Sequence, residues 1–217
     1  MRFQHPVSGL RPRVSGKQNA KQGNGKPDAG GRLLRGAEAV LSRKAILGRE
    51  CILKSRVQKG YRVKELDERL RAERTRVEAR LLHKAKLAGV PCPVVLEAGE
   101  FELTMTFIRG DHPGMDRKEA REAGRLLALL HGADIIHGDF TPANLFMSGG
   151  VMHVIDFGLG FISNDIEDKA VDVFTMMRAL VKAERKEAFA EGYMAYAKAE
   201  KVLERVKGVE KRVRYAF

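Results

Sequence analysis

Three short apolar, β-prone runs come early in the chain, residues 33–35, 39–47 and 51–56. Such runs, with Gly48 between the last pair, predict strands joined by a turn. From about residue 64 the pattern changes. Leu66, Leu70, Val77 and Leu81 recur near helical spacing up to about residue 88, and Gly89 followed by Pro91 ends the pattern. Residues 101–108 read as another strand, closed by Gly110. A second helix is expected over 117–131, opened by a capping box of Asp116 and Glu119 and stopped by Gly132. Two short apolar runs follow at 134–137 and 151–155, and the rest is helical in character, rich in Ala, Lys, Glu, Met and Leu. Strands with one helix first, then mostly helices, predict an α+β fold with a break near Gly110.

A length of 217 residues suits one domain with two lobes, here 32–109 and 110–217, and 44% hydrophobic residues suffice for a core. Residues 1–31 show no hydrophobic period and are rich in Gly, Lys, Gln, Asn and Pro, which predicts a flexible basic tail. The net charge of +12 is concentrated at the ends: residues 1–35 hold eight Lys/Arg and one acid, residues 201–217 six and two. Such ends favour phosphate or acidic partners. Cys51 and Cys92 lie far apart without metal-ligand spacing and read as small buried residues in a reducing compartment. No apolar run approaches the roughly 20 residues of a membrane span. The start of the chain has no apolar signal core, so a cytoplasmic protein with no membrane partner is expected.

The informative chemistry is His137-Gly138-Asp139-Phe140-Thr141-Pro142-Ala143-Asn144-Leu145, followed by Asp156-Phe157-Gly158. Phosphoryl transfer from ATP needs a carboxylate to orient or deprotonate the nucleophile, oxygen ligands for Mg²⁺, and a cation on the α/β-phosphates. Asp139 and Asn144 share one loop between short apolar runs, and Asp156 ends the next run, where Gly158 permits a sharp turn. Asn144 and Asp156 suffice as protein ligands for Mg²⁺, whose other ligands are phosphate and water.

Upstream, Ile52-Leu53-Lys54 is an apolar strand carrying one lysine, and a buried lysine needs an anionic partner. Glu78 is the best candidate because it borders the apolar face of the long helix, with Glu73 the runner-up. Gly36 to Val40 precedes this strand and is placed to cover phosphates. Met105, Thr106 and Ile108 end the 101–108 strand where an adenine would meet backbone groups, although an ordinary core strand fits them equally. Ile52 and Ile155 complete the expected lining of the nucleotide site. His137 is expected to satisfy backbone groups of its loop. For the cluster Arg56, Lys59, Arg62 and Lys64, a solvated face is the default, and a role near the phosphates or a substrate is the alternative.

Lys54-Ser55-Arg56, Lys59-x-Tyr61-Arg62, Leu66-Asp67-x-x-Leu70, Arg74-Thr75-x-x-Glu78-Ala79-Arg80 and Gly89-Val90-x-x-Pro93 together resemble the small kinase subunit of the KEOPS (EKC) complex, the p53-related protein kinase family. His137-Gly138-Asp139-x-Thr141-x-x-Asn144 and Glu167 to Asp172 fit the same family, over about residues 33–215. The resemblance implies a minimal two-lobed protein-kinase-like fold and an atypical serine/threonine kinase or ATPase that uses ATP and Mg²⁺. It implies that Lys54, paired with Glu78, contacts the phosphates, that Asp139 is the catalytic aspartate, and that Asn144 and Asp156 hold Mg²⁺. It also implies partners: a tRNA threonylcarbamoyladenosine synthase subunit, a small subunit bound to the N-lobe, and tRNA met through basic tails. No Ala-Pro-Glu follows Asp156, and Gly138 stands where an arginine would receive an activation-loop phosphate, so control by a protein partner is expected. Two alternatives remain open: a stand-alone RIO-like or small-molecule phosphotransferase, and a non-catalytic nucleotide-bound scaffold for tRNA.

Overall fold

The structure is a computed structural model that describes residues 32–35 and 38–215. The expected tail at 1–31 and the expected phosphate-covering Gly36 lie outside the described residues.

Five antiparallel strands form the first sheet: β1 (Arg32–Arg35), β2 (Ala39–Ile46), β3 (Arg49–Arg56), β4 (Val95–Ala98) and β5 (Glu102–Thr106), in the order β1-β2-β3-β5-β4. Leu47 and Gly48 join β2 to β3, both with positive φ (50° and 73°). That is the backbone of a two-residue turn matched to the twist of a hairpin. Strand β5 is shorter than the 101–108 run: it ends at Thr106, and Phe107 and Ile108 lie beyond it. Strand β4 was not anticipated, because its four residues carry too little alternation.

Helix α1 (Lys64–Leu87) packs beside this sheet. Thr75, Glu78, Leu81, Leu82 and Ala85 form its buried stripe at three- and four-residue spacing. Glu65 and Asp67 in the first turn and Lys84 and Lys86 in the last complement the helix dipole. Asp67 is fully buried and accepts the Lys59 backbone N–H at 3.1 Å and the Arg71 Nε at 2.6 Å, which clamps the loop after β3 onto α1.

The helical part holds α2 (Arg117–Gly132), α3 (Ile166–Ala179), α4 (Ala183–Tyr193) and α5 (Ala199–Tyr215). Helix α2 opens with both hydrogen bonds of the Asp116–Glu119 capping box. Its buried face includes Ala120, Ala123, Leu126, Leu127 and Leu130. Helices α2 and α4 cross backbone to backbone, because a Cβ at Gly124 would overlap the Phe189 carbonyl and one at Gly192 the Arg121 carbonyl. Glu167 on α3 receives Arg205 and Arg212 of α5. Between α2 and α3 run the short strands β6 (Ile135–Ile136), β7 (Leu145–Ser148), β8 (Val151–Val154) and β9 (Phe161–Ile162). Strand β6 pairs with β9 and β7 with β8, both antiparallel. These strands and the loops between them carry the polar motif residues to the surface of an apolar core that includes Phe140, Val154, Phe157, Val173, Met176 and Phe189.

Among the described residues, no helix is long and apolar enough to cross a membrane.

Candidate functional site

Strand β3 delivers Lys54, and α1 delivers Glu78 across from it. The Lys54 Nζ donates to Glu78 Oε1 at 2.6 Å and to Asp156 Oδ1 at 2.8 Å. Three segments far apart in sequence therefore meet at one ammonium group. Glu78 is 2% exposed and cannot stand there uncompensated. Burial works against the Lys54 charge, but the Glu78 and Asp156 carboxylates outweigh it and raise its pKa. Burial likewise pushes the Asp156 carboxyl up, but the Lys54 charge and hydrogen bond outweigh that and hold it below the usual carboxylate range.

Asp156 follows β8 and adopts φ 59°, a left-handed backbone unusual for an aspartate. Its Oδ1 also accepts the Gly158 N–H at 3.2 Å, which fixes the turn. Asn144 precedes β7, whose first residue Leu145 registers with Val154 at the end of β8. The Ile155 N–H donates to the Asn144 carbonyl at 3.0 Å. The β7–β8 hairpin thus brings Asn144 and Asp156 to its open end, side by side. The Asn144 Nδ2 donates to the Asp139 carbonyl at 2.8 Å and to Asp139 Oδ2 at 2.9 Å.

The loop that carries Asp139 is anchored from below. Asp172 on α3, 1% exposed, accepts the His137 N–H at 2.6 Å on Oδ2 and the Gly138 N–H at 2.9 Å on Oδ1. His137 is fully buried between the Phe140 and Phe157 rings, at centroid distances of 5.6 and 4.9 Å. Its Nε2 meets the Ile155 carbonyl at 3.0 Å, tying the Asp139 loop to the residue before Asp156. Burial lowers the His137 pKa, which favours the neutral ring. Gly138 has φ 79°, and a Cβ there would overlap the Leu159 carbonyl. The missing arginine of the sequence is therefore a steric requirement of this loop.

The remaining expected residues lie on or beside the same strands. Val40 pairs with Ser55, Ile52 with Met105, and Thr106 with Cys51. The Thr106 Oγ1 accepts the Val94 N–H at 2.9 Å, so this hydroxyl is engaged with the loop before β4. Ile155 is half-buried between Asn144 and His137, and Ile108 is half-buried past the end of β5.

Two residues escaped the sequence reading. Arg56, expected on a solvated face, is buried and donates to Glu78 Oε2 at 2.6 Å. It sits two residues after Lys54, and a strand puts such residues on one face. That spacing was the available signal. Asp172 was signalled by a charge set between Ala170 and Val173 within an apolar stretch of α3, where a buried carboxylate needs donors.

No family model matches the sequence. Curated proteins do. The chain is 43% identical over 171 residues to a "Probable serine/threonine-protein kinase BUD32 homolog" of Archaeoglobus fulgidus, covering 76% of this chain and 88% of that protein. It is 39% identical over 194 residues to a "Probable bifunctional tRNA threonylcarbamoyladenosine biosynthesis protein" of Methanosarcina mazei, covering 83% of this chain and 35% of that one. A protein of the same name from Methanothermobacter thermautotrophicus is 40% identical over 195 residues, with 84% and 36% covered. The chain thus spans about a third of the bifunctional relatives. Among solved structures, the Rio2 kinase of Chaetomium thermophilum in its ADP/Mg²⁺-phosphoaspartate complex superposes with TM-score 0.57 at 15% identity, covering 82% of this chain and 70% of that one. WaaP in complex with acyl carrier protein gives TM-score 0.57 at 14% identity, with 83% and 87% covered. These two likenesses establish a protein-kinase-like fold. The relative matched over nearly its full length goes further: this chain belongs to the Bud32 family of serine/threonine-protein kinases.

Proposed function

We propose that the chain binds ATP and Mg²⁺ between residues 32–109 and 110–217, and that it acts as the kinase or ATPase subunit of the KEOPS complex in threonylcarbamoyladenosine modification of tRNA. The observation that carries the catalytic part is the Lys54 ammonium bridging Glu78 and Asp156. A lysine raised in pKa, held by one buried carboxylate and one half-exposed carboxylate, has a permanent partner and an exchangeable one.

In this reading Lys54 keeps Glu78 and gives up Asp156 to reach the nucleotide phosphates. Asp156 and the Asn144 side-chain oxygen would hold Mg²⁺, an oxygen pair that suits a hard cation finishing its shell with phosphate and water. Bound there, the ion would neutralise charge developing on the transferred phosphoryl group. Asp139 orients or deprotonates the attacking hydroxyl or water. Asn144, hydrogen-bonded to it, fixes the direction of its carboxylate. Met105, Thr106 and Ile108 would meet the adenine through backbone groups, Val40, Ile52 and Ile155 would enclose it, and Gly36 would lie over the phosphates.

The names of the bifunctional relatives support the tRNA assignment. The partner this reading implies is the synthase that makes the modification. A small subunit on the N-lobe, tRNA contact through the basic ends, and a cytoplasmic location complete the proposal. ATP turnover measured with and without a Mg²⁺ chelator tests the catalytic part. Lys54→Ala and Asp156→Ala should abolish turnover while folding survives, and wild-type turnover in both would sink it. Threonylcarbamoyladenosine measured in tRNA from a strain carrying Asp139→Ala tests the rest: a normal level rejects a catalytic contribution to that modification.

A further inference from the structure

We propose that Arg56 is a positioning residue that keeps Glu78, and through it α1, in place while Lys54 exchanges Asp156 for the nucleotide phosphates. This rests on the reading of Lys54 and Asp156 given above. The Glu78 carboxylate is divided between two cations, Oε1 facing Lys54 and Oε2 facing Arg56, both at 2.6 Å. Lys54, Arg56, Glu78 and Asp156 form a cluster of two cations and two anions. Charge is balanced only while all four stay together. A nucleotide that takes the place of Asp156 leaves Lys54 on Glu78 but draws its charge toward the phosphates. A carboxylate 2% exposed would then be short of a counter-charge.

Arg56 meets that need because its guanidinium is already paired with Glu78. Its side chain is only 4% exposed, so it is poorly placed to follow a ligand. Its backbone N–H donates to the Phe101 carbonyl at 2.9 Å, and its guanidinium also reaches the Arg74 carbonyl of α1 at 3.4 Å. Strand and helix are thus tied at two points by one side chain. It nonetheless borders the moving parts: a side-chain carbon placed on Gly158 would lie 3.3 Å from Lys54 Nζ and 3.7 Å from Arg56 NH2. Arg56 stands behind the cluster, acting on the nucleotide through Glu78 and Lys54 and not by contact.

A double-mutant cycle tests this in the full chain. ATP turnover is measured for wild type, Arg56→Gln, Glu78→Gln and the double variant, each below its unfolding midpoint. Arg56→Gln alone should lower kcat/KM for ATP by about tenfold to a hundredfold, and should cost almost nothing further in the Glu78→Gln background. Arg56→Lys, which keeps the charge, should recover much of the loss. If Arg56→Gln fails to fold, Arg56→Met, uncharged and of similar length, carries the same cycle. A second readout needs no nucleotide: hydrogen exchange over residues 74–82 should speed up in Arg56→Gln. Equal losses in both backgrounds, or unchanged exchange, would overturn the proposal. Lys54→Ala and Asp156→Ala run alongside separate the two readings. If they turn over ATP normally, the nucleotide site itself is misassigned. If they are dead and the cycle is additive, only the role of Arg56 falls.

Discussion

Asp172 Oδ2 accepts the His137 backbone N–H at 2.6 Å, and this bond joins the floor of the helical part to the loop that presents Asp139. The second oxygen of Asp172 takes the Gly138 N–H, so one buried carboxylate satisfies two consecutive amides. Asp172→Ala would leave both amides without a partner, at a cost of about 2–4 kcal/mol in total. For a chain of this size the unfolding midpoint should fall by roughly 5–15 °C. Turnover measured well below the new midpoint should fall too, because Asp139 loses its register. A variant with an unchanged midpoint would show that water replaces Asp172 without loss.

The charge cluster predicts an unequal pair of variants. Lys54→Met leaves Glu78 still paired with Arg56. Glu78→Ala leaves Arg56 buried at 4% side-chain exposure, with Lys54 beside it holding only Asp156. Removing one partner of a buried pair costs about 3–5 kcal/mol when the remaining charge has no substitute. Glu78→Ala should approach that range in denaturant unfolding, and Lys54→Met should cost clearly less. Both should lose turnover. Equal stabilities would mean that Arg56 does not carry Glu78 alone.

These two relationships also mark where the sequence was and was not legible. The elements that make their own signal were found close to their observed bounds: the β2–β3 hairpin through its apolar runs and Gly48, α1 through its apolar spacing, α2 through Asp116 and Glu119. The polar motif residues stood out because Asp139, Asn144 and Asp156 interrupt apolar runs. The lysine partner was inferable because Glu78 borders the apolar stripe of α1. Arg56 and Asp172 were hidden for one reason. Each is a charge whose burial is decided by a partner far away in the chain, Glu78 in one case and the 137–138 amides in the other. Local pattern assigns such a residue to solvent. Strands β4, β7 and β9 were missed because two to four residues cannot show a period, and they exist only through pairing.

Two buried histidines set the acid limb of stability. Burial lowers the pKa of His137, and also that of His131, where Asp172 opposes the shift without cancelling it. In the unfolded chain both titrate near the ordinary value of about 6.5. Below that pH the unfolded state binds protons that the folded state refuses, so stability must fall as pH falls. With both groups contributing, the slope approaches about 2.7 kcal/mol per pH unit, twice the value for one proton. Denaturant unfolding between pH 7.5 and 5 should show the decline starting near 6.5. His131→Gln should flatten it by about half among variants that fold. A pH-independent midpoint over that range would mean that both rings accept a proton in the folded state.

Gly138 gives the sharpest test of the loop's shape. Its φ of 79° is open to few other residues, and a Cβ would run into the Leu159 carbonyl two residues after Phe157. Two penalties therefore coincide for Gly138→Ala: a left-handed backbone costing about 1 kcal/mol, and a backbone clash that only a shift of residues 157–159 relieves. Such a shift would be felt at Asp156, whose Oδ1 holds both Lys54 and the Gly158 N–H. Turnover should accordingly drop more than the stability loss explains. Gly138→Arg, which puts back the residue expected of phosphorylation-controlled kinases, should behave like Gly138→Ala and confer no response to phosphate. Gly138→Ala with normal turnover at a lowered unfolding midpoint would show that the loop yields without disturbing Asp156.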